Sequence, residues 1–221
     1  MRILAFDCAG AQCAAALLAD GHILAARSIL AERGHAQLLI PMLSDLLGEA
    51  GLAFGDIDRF AVTTGPGSFT GIRVALAAAH GLALGTAKPI VGVTVFEAMA
   101  AATPGVASRL LVAIDSKRAE LFVQMFDPKG AALTEPAMLP PDAVAAWAGP
   151  GELTLTGDAA RLVAPHLAGM IAPPPESSPP ETWATQVDPA IVARLGQDRP
   201  VGPPPAPFYL RAPDAVPAKV R

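Results

Sequence analysis

Apolar positions along the chain keep two different periods. Ile3–Phe6, Cys13–Ala19 and His22–Ile29 are short apolar runs bounded by turn residues, and they predict three successive strands. Asp20-Gly21 between the last two is a two-residue hairpin signal. The period then changes. Leu38, Leu39, Met42, Leu43, Leu46, Leu47 and Ala50 recur at the i, i+3, i+4 spacing of one helix face, which predicts a helix over Gly34–Ala50. Pro41 predicts a kink or a late start in it, and Gly51 a C-terminal stop. Arg59–Thr63 reads as a strand, Thr70–Leu84 as a second helix and Ile90–Val93 as a short strand. Thr94 with Glu97 has the form of a capping box and opens a third helix to about Ala102.

Thr103-Pro104-Gly105 breaks that helix and marks a lobe boundary. Beyond it the pattern begins again. Leu111–Asp115 repeats the form of Ile3–Asp7, an apolar strand ending in Asp and preceded by Arg. A strand over Glu120–Asp127, a turn at Pro128-Lys129-Gly130, a short helix near 142–148, a strand at Leu153–Thr156 and a helix at Ala159–Leu167 follow. This order predicts two similar α/β lobes, 1–104 and 105–212, the second reduced. Pro173–Pro175, Pro179-Pro180 and Pro203–Pro205 read as loop or polyproline segments. Asp188-Pro189 predicts a helix to about Leu195, Phe208–Arg211 an apolar island that docks back on the body, and 213–221 a mobile tail.

One stretch stands out for its chemistry. Gly65-Pro66-Gly67-Ser68-Phe69-Thr70-Gly71, three glycines and a proline, joins a strand to a helix, and free N–H groups at such a helix start suit an anion. A phosphate loop would continue Gly-Lys-Ser/Thr, whereas this helix opens Gly71-Ile72-Arg73. Gly65, Pro66, Gly67, Ser68, Thr70 and Gly71 are therefore read as a structural loop, with Ser68 and Thr70 as helix caps. No Gly-x-Ser-x-Gly occurs, and His22, His35, His80 and His166 stand too far apart for a one-face metal pair. Asp7 and Asp115, at matching strand ends, are the weak candidates for a hydrated Mg²⁺ between lobes, against an equal reading as turn caps. Cys8 and Cys13 read as buried free thiols of a protein in a reducing cytoplasm.

Composition narrows the partners. The chain is 52% hydrophobic over 221 residues, but alanine dilutes it, and no stretch holds 18 uninterrupted apolar residues, so no membrane span is expected. The opening apolar run is a strand rather than a signal peptide. A net charge of −4 gives no electrostatic footprint for autonomous nucleic-acid binding. Both long helices carry more apolar and small residues than one lobe needs. From the residues alone this is either a partner surface or a sheet cover.

The glycine loop through Arg73 resembles the signature of the bacterial TsaB (YeaZ) family. Ile3–Asp7 with Cys13–Leu17 is similar to that family's opening hairpin, and His35-Ala36-Gln37-Leu38-Leu39-Ile40-Pro41 to its His-Ser-Glu-x-Leu-x-Pro helix. Val91–Thr94 with Glu97, Ala98 and Ala100, then Ile114–Arg118 and Pro207–Arg211, match in order. The likeness covers essentially the whole chain and is densest over 1–127. It implies an α/β fold of two RNase-H-like lobes of the actin/sugar-kinase/Hsp70 (ASKHA) superfamily.

The resemblance also implies a non-catalytic, cytoplasmic subunit in making threonylcarbamoyladenosine beside the tRNA anticodon. The catalytic partner would be the paralogue TsaD, with TsaE as an ATPase accessory, a homodimer when TsaD is absent, and tRNA reached only through the complex. No cofactor, metal or catalytic residue is expected of this chain. The interface it implies lies on the first-lobe helices, at His35, Leu38, Leu39, Met42, Leu46, Ile72, Arg73, Ala75, Leu76 and Ala79. Ser116-Lys117 and Cys8-Ala9 depart from the family pattern, both at positions relevant to nucleotide binding. The competing classes are an ATP-binding small-molecule kinase of the same fold, a glycoprotease-like peptidase and a free-standing RNA-binding module.

Overall fold

A computed structural model describes residues 1–31, 33–103, 105–172 and 184–211. The lobe break at Pro104, the proline runs at 173–175 and 179–180 and the tail over 213–221 lie outside the described residues.

The three opening apolar runs form an antiparallel meander, β1 (Arg2–Asp7), β2 (Gln12–Ala19) and β3 (His22–Leu30). After α1 (His35–Glu49), β4 (Arg59–Thr63) pairs parallel with β1; after α2 (Phe69–Thr86), β5 (Ile90–Val93) pairs parallel with β4. The sheet order is β3-β2-β1-β4-β5. The second sheet repeats this plan without the fifth strand: β6 (Arg109–Asp115), β7 (Leu121–Phe126), β8 (Ala137–Leu139) and β9 (Leu153–Thr156) lie in the order β8-β7-β6-β9. β6 holds the place of β1, antiparallel to β7 and parallel to β9.

Local signals placed most boundaries. α1 runs unbroken through Pro41 and starts at His35, so no late start occurs. It ends as Gly51 takes φ 68°, with the Gly51 N–H on Gly48 C=O (3.0 Å) and Leu52 N–H on Leu47 C=O (2.9 Å), the paired bonds of a glycine C-cap. α3 (Val95–Ala101) starts on the expected capping box: Thr94 Oγ1 accepts from Glu97 N–H at 3.1 Å and Glu97 Oε2 accepts from Thr94 N–H at 2.7 Å. Removing the box with Thr94→Ala is expected to cost about 1 kcal/mol, read in a thermal melt as a drop of about 2–4 °C. Three expectations change. Residues 159–167 divide into α5 (Ala160–Val163) and a 3₁₀ turn (Ala164–Leu167), as Pro165 cannot donate to a continuing α-helix. α4 is confined to Val144–Ala148, and β8 was too short for its pattern to be read.

The largest correction concerns the end of the second lobe. α6 (Pro189–Asp198), capped by Asp188, packs on β1, β2, β4 and β5 beside α3, on the face of the first sheet away from α1 and α2. Val187, Val192 and Ala193 join the first core. A Cβ on Gly196 would come within 2.6 Å of the Ala61 Cβ, and Arg59 donates to the carbonyls of Gly196, Gln197 and Arg199 at 2.7–3.1 Å. Residues 184–211 thus complete the first lobe instead of extending the second. The two sheets share one core through Leu110, Val112, Ile114, Phe122 and Phe126. The opposite face of the second sheet, with Leu111, Val123 and Leu155, is covered by α4 and α5.

Candidate functional site

The glycine loop lies against the turn between β1 and β2, backbone on backbone. A Cβ on Gly67 would stand 2.3 Å from the Ala9 carbonyl oxygen, and one on Gly71 only 1.8 Å from that of Cys8. The Ser68 N–H donates to Ala9 C=O at 2.7 Å, and Ser68 Oγ accepts from Gly71 N–H at 3.2 Å. Thr64 N–H and Val95 N–H tie the loop's other end to the end of β5 and the start of α3, through Val93 C=O (2.9 Å) and Gly65 C=O (2.8 Å). These glycines permit close backbone approach, and the donor at Ser68 that a phosphate would seek already faces a protein carbonyl. Ser68 alone caps α2. Thr70 is an exposed residue of the first turn, which corrects its expected capping role.

Asp7 and Asp115 occupy equivalent places at the ends of β1 and β6 and close the following turns in the same way. Asp7 Oδ1 accepts from Ala9 N–H (2.9 Å) and Thr63 Oγ1–H (2.5 Å). Asp115 Oδ1 accepts from Lys117 N–H (2.6 Å), with Lys117 Nζ on Oδ2 at 2.9 Å. Their surroundings differ. Asp7 is fully buried, and burial pushes its carboxyl above the usual range against the opposing hydrogen bonds from Thr63 and Ala9. Its Oδ2, like the buried His35 Nε2, has no partner among the described residues. At Asp115 burial also acts upward, but the bonds from Lys117 outweigh it and hold the carboxyl low. Asp158, which accepts from Asp115 N–H at 2.8 Å, is raised by burial. Among the described residues no group of three or more His, Cys, Asp or Glu is placed to hold a metal ion. Cys8 and Cys13 are buried with their sulfurs 3.6 Å apart, as free thiols.

The ten residues expected at a partner interface divide sharply. His35, Leu39, Met42 and Leu46 on α1 and Ile72, Ala75, Leu76 and Ala79 on α2 are buried within this chain, packed as the first sheet's own cover. Leu38 is half-buried, and Arg73 is exposed. The physical reason is that the apolar stripe at helical spacing is the one the sheet itself requires. The opposite faces look outward: Ile40 (42% exposed), Pro41, Ser44 and Gly48 on α1, and Phe69 (44%), Ala77, Gly81, Leu84 (86%) and Gly85 on α2. A Cβ at Gly48, Gly81 or Gly85 would meet nothing within 4 Å, so these glycines serve no packing inside this chain. Glycine at a helix position that nothing covers was the signal available in the sequence, since each costs about 1 kcal/mol relative to Ala. α2 is also long and apolar enough to cross a membrane by length and composition, with its buried residues seated on the sheet.

The segment after α6 docks as expected and reaches this face. Phe208 N–H donates to Thr64 C=O at 2.8 Å. Arg211 pairs with Glu120 at 2.6 Å, and Tyr209 stacks on Phe69 with ring centroids 5.2 Å apart.

Two sheets built on one strand plan, with α-helices on both faces of the first, define an α/β protein of two similar sheet-and-helix lobes. A family model described as "TsaD: tRNA N6-adenosine threonylcarbamoyltransferase" matches residues 29–164. The chain is 42% identical over 124 residues to the tRNA threonylcarbamoyladenosine biosynthesis protein TsaB of Escherichia coli, covering 55% of this chain and 53% of that protein. The TsaB of Haemophilus influenzae is 35% identical over 127 residues, or 55% of this chain and 52% of that protein. A solved Pseudomonas aeruginosa structure, an uncharacterized protein with similarity to peptidase YeaZ, superposes with a TM-score of 0.76 at 28% identity, over 95% of this chain and 99% of that one. The chain belongs to the family that the TsaD family model describes, and it is similar to the TsaB (YeaZ) proteins. Its matches span about half the length of the E. coli and H. influenzae relatives.

Proposed function

We propose that this protein is a non-catalytic, cytoplasmic subunit in the synthesis of tRNA N6-threonylcarbamoyladenosine, and that it docks a TsaD homologue through the outward faces of α1 and α2. One observation carries this reading: two adjacent helices expose Ile40, Phe69 and Leu84 among Ser44, Gly48, Ala77, Gly81 and Gly85, with open space over the glycines. Small residues let a second pair of helices approach closely, and the large apolar side chains reward the contact by leaving water. A non-catalytic role agrees with a glycine loop whose backbone is packed against the β1–β2 turn and with aspartates engaged in their own turns. TsaE would then act on the assembled pair, and tRNA would be reached through the partner.

Gly81→Arg tests the docking face. Its side chain enters open space, so the isolated protein is expected to melt within about 2 °C of the wild type. Co-purification with a co-expressed TsaD homologue should be lost. A complex that survives both Gly81→Arg and Ile40→Asp defeats the proposal. ATP turnover by the purified chain alone would instead favour a kinase-like enzyme.

A further inference from the structure

Arg73 is exposed but not loose. Its guanidinium lies 3.5 Å above the centroid of Phe69 and 5.8 Å from that of Tyr209, and its Nε donates to Tyr209 Oη at 2.9 Å. Phe69 and Tyr209 remain 44% and 37% exposed, so two aromatic rings and a stacked guanidinium stand together at the surface, at the first turn of α2. Among the described residues Nε is the only guanidinium nitrogen of Arg73 with a hydrogen-bond partner. The Nη groups supply the rest of a planar five-donor fork, whose geometry matches a carboxylate in two parallel bonds.

We propose that Arg73, held between Phe69 and Tyr209, is a carboxylate-binding anchor at the end of the α1/α2 face, and that the partner it fits is a different chain presenting Asp or Glu there rather than a second copy of this one. This rests on the docking reading given above. The charge pattern makes the choice. α2 contains no Asp or Glu from Phe69 to Thr86, and its basic residues are Arg73 and His80. Two copies meeting α2 on α2 would bring these groups together with no carboxylate between them, an arrangement disfavoured by repulsion and desolvation. The acids on the outer side of α1, Asp45 and Glu49, are both engaged by Arg27 of β3 within the chain. Aromatic residues and arginine are the residue types that dominate interface energies, most effectively when held in place before binding. Tyr209 lies 136 residues from Arg73 in sequence, so the anchor is complete only when the segment after α6 is docked.

The experiment measures the dissociation constant for the co-expressed TsaD homologue across four variants, each checked for folding by thermal melt. Arg73→Glu is expected to weaken binding by about 30-fold or more, Arg73→Lys by about 10-fold because it keeps the charge but loses the fork and the stack. Tyr209→Phe, which keeps the ring and removes the acceptor, should lose about 3–10-fold, the range of one hydrogen bond. Gly81→Arg serves as the block of the whole face. If Gly81→Arg abolishes binding while Arg73→Glu and Arg73→Lys stay within twofold of wild type, the anchor is overturned and the docking reading stands. If neither position matters, the docking reading fails and the anchor falls with it. A homodimer of equal affinity that Arg73→Glu dissociates would overturn the preference for a different chain. Binding of tRNA by this chain alone, lost in Arg73→Glu, would assign the residue to phosphate and overturn the carboxylate.

Discussion

Gly71→Ala is expected to lower the melting temperature by about 6–12 °C, the equivalent of about 3 kcal/mol in a chain of this size. The added Cβ would stand 1.8 Å from the Cys8 carbonyl oxygen and 3.0 Å from its carbon. Both are backbone atoms of the turn after β1, so no side-chain rotation relieves the clash. Either the first turn of α2 lifts away or the β1–β2 turn moves, and each breaks the Ser68 N–H to Ala9 C=O bond. The same substitution ten residues along the helix provides the contrast. At Gly81 a Cβ meets nothing within 4 Å, and Gly81→Ala should be neutral or stabilise by up to about 1 kcal/mol through helix propensity. Circular dichroism melts of the two variants decide the matter; equal melting temperatures would refute the packing role given to the loop.

Asp7→Asn is expected to stabilise the protein at neutral pH by about 1–3 kcal/mol and to lose that advantage in acid. Asp7 is buried with its pKa raised above the ordinary value of 3.8, so folding favours the protonated form. Its contribution to stability is therefore complete below pH 3.8 and is lost as the pH rises through the folded-state value. Above that value an ionised carboxylate is held out of water with one oxygen lacking a partner among the described residues. Asparagine keeps an oxygen acceptor for Ala9 N–H and the Thr63 hydroxyl without the charge. Asp7→Ala should destabilise by about 1–3 kcal/mol, because it leaves those two donors buried and unpaired. Melting curves taken from pH 3.5 to 8 test the sign. An Asn-minus-wild-type difference that does not shrink toward acid would rule out ionisation as its cause.

These outcomes bear on how sequence and structure divide the information. The capping box at Thr94, the stop at Gly51, the Asp188 cap and the strand–glycine–helix transition at Thr63–Phe69 were legible because each is decided by residues within a few positions of one another. The apolar period likewise marked α1 and α2. It left open whether their stripes cover a sheet or meet a partner, because both demand the same spacing. Most of the apolar residues on that period, from Leu39 to Ala79, are buried in this chain's own core.

The sequence by itself determined the element types, the near-repeat of β1 in β6, the glycine loop and the family resemblance. All of these depend on local conformational preference or on motif order. Only the tertiary structure decided that α6 returns to the first sheet, that the outward face of α2 is the one bearing Ala77, Gly81 and Leu84, and that Tyr209 steadies Arg73. Each of these joins groups far apart in the chain, and what selects such pairings is the burial of surface on folding, which no local pattern encodes.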